Sequence, residues 1–158
     1  MSTMPSKNRT NNYEAMFLVS PAEAADLNSI VEHIMHLVTH GGGEILAFSK
    51  WDERRLAFEV KKNKRGVYFL CYFAVDSVRV TDIERYCNLS ERLLRVLITK
   101  ADHLSLEEMQ ATEGREKLRL EAELRKTEQA NAAQQAQQQA QQAQQQADQA
   151  AETVETSA

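Results

Sequence analysis

"EILAFSKWDERRLAFEVKKNKRGVYFLCYFAV", residues 44–75, decides the fold. Residues 44–60 alternate apolar with polar side chains for much of their length, the mark of a strand with one buried face. We place a kink in it near Asp52–Glu53. "KKNKRG" (61–66) reads as a turn, and "VYFLCYFAV" (67–75) is the most strand-like run in the chain, rich in β-branched and aromatic residues. The three pieces make a hairpin with a basic end. Lys50, Arg54, Arg55, Lys61, Lys62, Lys64 and Arg65 stand there against only three acids, Asp52, Glu53 and Glu59.

Ahead of the hairpin, "YEAMFLV" (13–19) is short and apolar, as a buried strand would be. "SPAE" (20–23) follows, in which Ser20 can cap a helix, Pro21 suits its first position and Glu23 completes a capping box. Leu27, Ile30, Val31, Ile34, Leu37 and Val38 then recur at helical spacing, and "GGG" (41–43) ends that helix. Beyond the hairpin, Thr81 and Glu84 offer a second capping box for a short helix carrying Ile83, Tyr86 and Leu89. "LLRVLITK" (93–100) is a last strand.

The order strand, helix, strand, strand, helix, strand is the split βαβ pattern of the ferredoxin-like α+β fold. It predicts a four-stranded antiparallel sheet with two helices on one face. An antiparallel sheet with one solvated face should alternate cleanly. Residues 67–75 are instead apolar or aromatic at every position, so a partner, RNA or the tail is expected to cover part of the second face.

The chain is acidic at net −4, but its charge is divided. Residues 1–100 carry 14 basic and 12 acidic side chains, and residues 101–158 carry 5 and 11. The basic hairpin therefore sits in a mildly basic domain followed by an acidic tail. Ser105 and Glu108 can cap a helix through residues 106–130, with Glu113–Lys117 and Glu121–Arg125 as ion pairs one turn apart and Gly114 weakening its start. "QQAQQQAQQAQQQADQA" (134–150) then forms a low-complexity tract. Its alanines at 133, 136, 140, 143, 147 and 150 mimic a coiled-coil seam, but alanine buries little surface, and we expect a solvated, partly helical tail.

No apolar run reaches the roughly 18 residues that span a bilayer, and "MSTMPSKNRTNN" has no hydrophobic stretch of a secretory signal. Cys71 and Cys87 lie in apolar surroundings and read as reduced core residues, which fits the cytoplasm. His33, His36 and His40 fall on one flank of the first helix with no Cys or well-placed carboxylate to complete a metal site. No nucleophile–base set or phosphate-binding glycine loop is evident. We expect no catalysis, no cofactor, no metal and no small-molecule substrate.

Clustered cations bind phosphate through counterion release, and Trp51 adds a face on which a base can stack. RNA is the partner this combination suggests. "RGVYFLCY" (65–72) resembles the strand motif of RNA-recognition domains at Arg65, Gly66, Phe69 and Tyr72, and departs from it at Val67 and Tyr68.

"WDERRLAFEV" (51–60) resembles the signature of the bacterial small-subunit ribosomal protein six family, a Trp-Gly followed by basic residues and then Leu-Ala-Tyr-x-Ile. Trp51, Arg54, Arg55, Leu56, Ala57 and Val60 match it, whereas Asp52 takes the glycine position and Phe58 the tyrosine position. "YEAMFLV" is similar to the family's opening strand and "LSERLLRVLITK" (89–100) to its closing one, so the likeness runs over residues 12–100.

The resemblance implies a structural protein of the small ribosomal subunit. Such a protein binds the central domain of small-subunit rRNA as a heterodimer with small-subunit ribosomal protein eighteen, away from any membrane. It divides the chain into a flexible arm (1–11), a ferredoxin-like RNA-binding domain (12–100) and a charged, then Gln/Ala-rich tail (101–158). The expected RNA contacts are Trp51, Arg54, Arg55, Lys61, Lys62, Lys64 and Arg65, with Arg9 on the arm. The alternatives are a free single-strand RNA binder that stacks bases on Phe69 and Tyr72, and a ferredoxin-like regulatory module that binds a small ligand.

Overall fold

The computed structural model describes residues 9–155, so residues 1–8 of the expected arm lie outside the described residues. Strand β1 spans Thr10–Val19, beginning three residues before the apolar run because Thr10, Asn11 and Asn12 pair with Asp76, Val75 and Ala74. The single helix expected next is two, α1 (Pro21–Ala24) and α2 (Leu27–His40). Ser20 does accept the Glu23 N–H at 3.3 Å, but the Glu23 carboxylate accepts from Arg92 Nε at 2.7 Å. Asp26 then restarts the helix by accepting the Ser29 N–H at 3.2 Å. The end of α2 is a Schellman turn: Gly42 N–H donates to Thr39 O and Gly43 N–H to Val38 O, both at 3.0 Å. Gly42 supplies the left-handed residue, at φ +89°.

Strand β2 (Glu44–Val60) and strand β3 (Asn63–Asp76) form the predicted hairpin. A 3₁₀ turn over Ser77–Arg79 leads into α3 (Val80–Leu89), and β4 (Arg95–Lys100) completes the sheet. The capping box expected at Thr81 is not made, because α3 continues from the 3₁₀ turn and Thr81 already lies inside it. Asp76 caps that turn instead, accepting the Val78 N–H at 3.3 Å. All pairings are antiparallel in the order β2-β3-β1-β4, the ferredoxin-like arrangement.

Strand alternation sorts the core into two layers. Phe17, Phe48, Phe69, Phe73 and Val75 point to one face, with Phe48 stacked on Phe69 and Tyr13 on Phe73. Helices α2 and α3 close this face through Ile30, Ile34, Val38 and Ile83, all fully buried. His33 ties α2 to the end of α3, its Nε2 lying 2.7 Å from Ser90 Oγ. Burial pushes both thiols, Cys71 and Cys87, up to about 12, which removes thiolate chemistry at neutral pH.

The opposite face, for which a partner, RNA or the tail is the expected cover, is closed by the start of the tail, residues 101–114. A short helix α4 (Leu106–Gln110) carries Met109, fully buried against Ala47, Leu70, Tyr72 and Ala101, with Met16, Leu46 and Leu104 at the margin. The Ser105–Glu108 capping box forms as predicted, yet the helix stops at Gln110. Gly114 then reaches β2 and donates its N–H to Phe48 O at 2.8 Å. A Cβ at Gly114 would lie 3.1 Å from Ser49 Cβ, so glycine sets this close approach.

Helix α5 (Arg115–Glu155) begins immediately beyond. Glu113 lies outside it and pairs with Arg115 (2.6 Å) rather than Lys117, while Glu121 and Arg125 pair as expected at 2.8 Å. The described chain divides after Leu120 into two compact units. The second is the remainder of α5, whose Gln/Ala tract has high helix propensity and is exposed throughout.

Two outcomes test this packing. Met109→Ala should lower unfolding stability by about 2–5 kcal/mol in urea titrations, as large-to-small changes at fully buried sites do. Burial and the neighbouring Arg92 hold the His33 imidazole below its ordinary 6.5, with His36 adding to the effect and Glu23 opposing it. Its neutral form is therefore favoured on folding. That contribution is complete above pH 6.5 and lost as pH falls through the lower folded value. His33→Gln should reduce the loss of stability between pH 7.5 and about 5, measured against wild type.

Candidate nucleic-acid interface

The basic end of the hairpin extends beyond β1, whose last residue, Val19, pairs with Val67. "KKNKRG" contributes only Lys61 and Lys62 to the turn, and Asn63–Gly66 already belong to β3. Both lysines have positive φ, 46° and 66°, as a two-residue type I′ hairpin turn demands. Asn or Gly normally occupy such positions, and an L-residue with a full side chain costs about 1–2 kcal/mol there. The Asn63 side-chain amide steadies the turn by donating to Val60 O (3.3 Å) and Lys61 O (3.1 Å), and Lys61 Nζ reaches Leu93 O at 3.5 Å.

Of three register shifts between β2 and β3, the two nearer the turn shape the rest. The first falls between Lys50 and Asp52 and is the predicted kink, with Trp51 as the extra residue. Asp52 holds it by accepting the Glu53 N–H at 2.8 Å and Arg54 Nε at 2.9 Å. Those bonds keep the Asp52 carboxyl below its usual range. The backbone at Asp52 is not left-handed, so the family's glycine is not needed for conformation at this position. The second shift lies between Arg55 and Val60. Five steps along β2 oppose two along β3, and Leu56, Ala57, Phe58 and Glu59 form an excursion. It folds over Gly66, where a Cβ would lie 2.4 Å from Leu18 Cδ1 and 3.4 Å from Leu56 Cδ2.

This geometry separates the seven cations. Arg54 is held by Asp52 and lies 4.8 Å from the Trp51 ring centre. Lys50 approaches Glu53 at 3.9 Å and Lys64 approaches Glu59 at 4.0 Å. Arg55 and Arg65 face one another directly across the two strands. Like charges so placed destabilise a sheet. Among the described residues, the side chains of Arg55, Lys62 and Arg65 make no ion pair or hydrogen bond, and all three are exposed. Their arrangement is a cation edge suited to a polyanion.

Arg9 does not join it. The Arg9 carbonyl accepts the Ser77 N–H at 3.2 Å, beside the far end of β3 from the turn. Phe69 and Tyr72, on which a recognition-motif protein would stack bases, are both buried. Phe69 lies on the helix-covered face. Tyr72 lies under Met109 and donates its hydroxyl to Glu14 at 3.0 Å. Phe58, Tyr68 and Arg95 are neighbours on the outer face that were not brought together from the sequence, because the shift between Arg55 and Val60 breaks the two-residue period that would have aligned them.

Replacing Lys62 with glycine should raise unfolding stability by about 1 kcal/mol by removing the left-handed strain, with equilibrium denaturation as the check. No gain would mean that the turn relaxes in solution.

A family model described as Ribosomal protein S6 matches residues 12–100, ending where β4 ends. The small ribosomal subunit protein bS6 of Heliobacterium modesticaldum is 36% identical over 91 residues, 57% of this chain and 95% of that protein. The corresponding protein of Moorella thermoacetica is 33% identical over 92 residues, 58% of this chain and 94% of its own length. The crystal structure of 30S ribosomal protein S6 from Thermotoga maritima shares the fold, with a TM-score of 0.54 and 23% identity over 65% of this chain and 98% of that one. The matched range takes in α1 to α3, the basic hairpin, β4 and all but the first two residues of β1, and the chain belongs to the ribosomal protein S6 family.

Proposed function

We propose that the chain is a non-enzymatic structural constituent of the small ribosomal subunit in the cytoplasm. It binds the central domain of small-subunit rRNA jointly with small-subunit ribosomal protein eighteen, as a heterodimer, and needs no cofactor. Family membership sets the frame. The observation that carries the RNA contact is the facing pair Arg55 and Arg65, both exposed and without an acid. A like-charged pair with no intramolecular partner is disfavoured in the free protein and relieved when phosphate lies between the two guanidinium groups. Lys62, held on a strained turn, extends the same edge, and strain retained at an exposed position is a mark of function. Lys61, Lys64, Arg54 and Trp51 flank this edge, and Arg9 would require a separate contact at the other end of the sheet.

Sedimentation of the tagged chain in its own cell lysate tests the assignment. It should travel with the small subunit through moderate salt, and finding it only among free proteins would overturn the proposal. Arg55→Ala should lower the log–log salt slope of RNA binding by about one unit. The same change should raise the stability of the free protein by a few tenths of a kcal/mol. A lost slope without gained stability would mean that the two arginines do not repel one another in the free state.

A further inference from the structure

Aromatic rings on the outer face at the hairpin end are held in place but left uncovered. Trp51 is 51% exposed and meets Tyr68 edge-on, with ring centres 5.8 Å apart. Phe58, raised on the Leu56–Glu59 excursion, is 65% exposed. Each exposed ring has a guanidinium on it: Arg54 at 4.8 Å from Trp51 and Arg95 at 5.7 Å from Phe58. Between Phe58 and Tyr68 lies a groove of about 150 Å³, floored by Leu18 and Leu56 and closed by Val60 and Arg95.

The groove is too small for a drug-sized ligand, for which sites run roughly 300–1,000 Å³. Its walls suit a flat ring with apolar faces, and the charge at its edge selects what carries that ring. Arg95 lines it, Arg54 and Lys64 lie on the strands beside it, and Lys61 lies in the turn that joins them. The acids of the hairpin, Asp52, Glu53 and Glu59, are already engaged by Arg54, Lys50 and Lys64. A flat ring on an anionic chain is an unpaired nucleotide. Bases in a duplex cannot reach such a groove, whereas bulged or looped bases can be turned out onto aromatic and guanidinium planes.

We propose that the groove takes one unpaired nucleobase, stacked on Phe58 or Tyr68, from an RNA whose phosphates continue round the hairpin end to Lys62 and to Arg55 and Arg65 on the opposite strand face. This rests on the rRNA reading above and adds a base-recognising site to its phosphate contacts. It also moves the stacking surface from the centre of the sheet, where Met109 covers Tyr72, to the hairpin end.

The test uses the full chain with purified ribosomal protein eighteen and two RNA hairpins identical except for one bulged 2-aminopurine. Wild type should bind the bulged RNA more tightly and change its fluorescence on binding. Phe58→Ala, at an exposed position, should bind the bulged RNA about tenfold more weakly, equivalent to ~1.4 kcal/mol, and leave the paired RNA unchanged. Phe58→Tyr should keep the preference. Arg55→Ala should weaken both RNAs and lower the salt slope for both. Equal binding of the two RNAs by wild type and Phe58→Ala overturns the base site and leaves the cation edge standing. Loss of protein eighteen binding by Phe58→Ala, with RNA binding intact, makes the groove a protein interface and also overturns the base site. Failure of wild type to bind either RNA overturns both proposals.

Discussion

Strand β3 is apolar on both of its faces, and burying both is the constraint from which the rest of the structure follows. Side chains alternate across a strand, so Phe69, Cys71 and Phe73 must be covered from one side and Leu70 and Tyr72 from the other. Each large apolar side chain taken out of water contributes about 1.5–3 kcal/mol, and neither layer can be left open. The two helices of the ferredoxin-like unit close the first. The second is closed by residues 101–114, a segment beyond the matched family range, through buried Met109 and backbone hydrogen bonds from Ala101 to Asn12 and from Gly114 to Phe48.

With both faces of the central sheet occupied, what remains open is the end of the hairpin. There β2 runs out of regular pairing, and the chain places features that oppose stability: two lysines with positive φ, two arginines face to face, and exposed aromatic rings. None of these is required by the core. Asp52 illustrates the balance. It satisfies the bulge at Trp51 and neutralises Arg54, which leaves Arg55, Lys62 and Arg65 as the open charges of the hairpin.

The sheet was legible because its signals are local. Alternation in 44–60, the apolar run in 67–75 and the glycines after α2 each act through neighbours in sequence. The cover at 101–114 was not, because "ATEG" reads as a weak point in one helix, and only the contact between Gly114 and Phe48 shows that the chain turns there. The tight turn was hidden for a different reason. Lysine is disfavoured at positive φ, so Lys61–Lys62 carries none of the Asn-Gly chemistry that announces a two-residue hairpin. Of the candidate site, the cations were legible by composition alone. Their division into engaged and open groups depends on register, which the two shifts of β2 nearest the turn reset.

The position of Met109 also gives the fold a timetable. A nascent chain extended to Lys100 has all four strands and both core helices, and on one side its sheet is still bare. At roughly 5–20 residues per second, the methionine that closes it is added about a second later. During that interval Leu70 and Tyr72 face whatever lies near the emerging chain. This layer of the core is therefore synthesised after all four strands, and the acidic helix that follows enters the chain only after it.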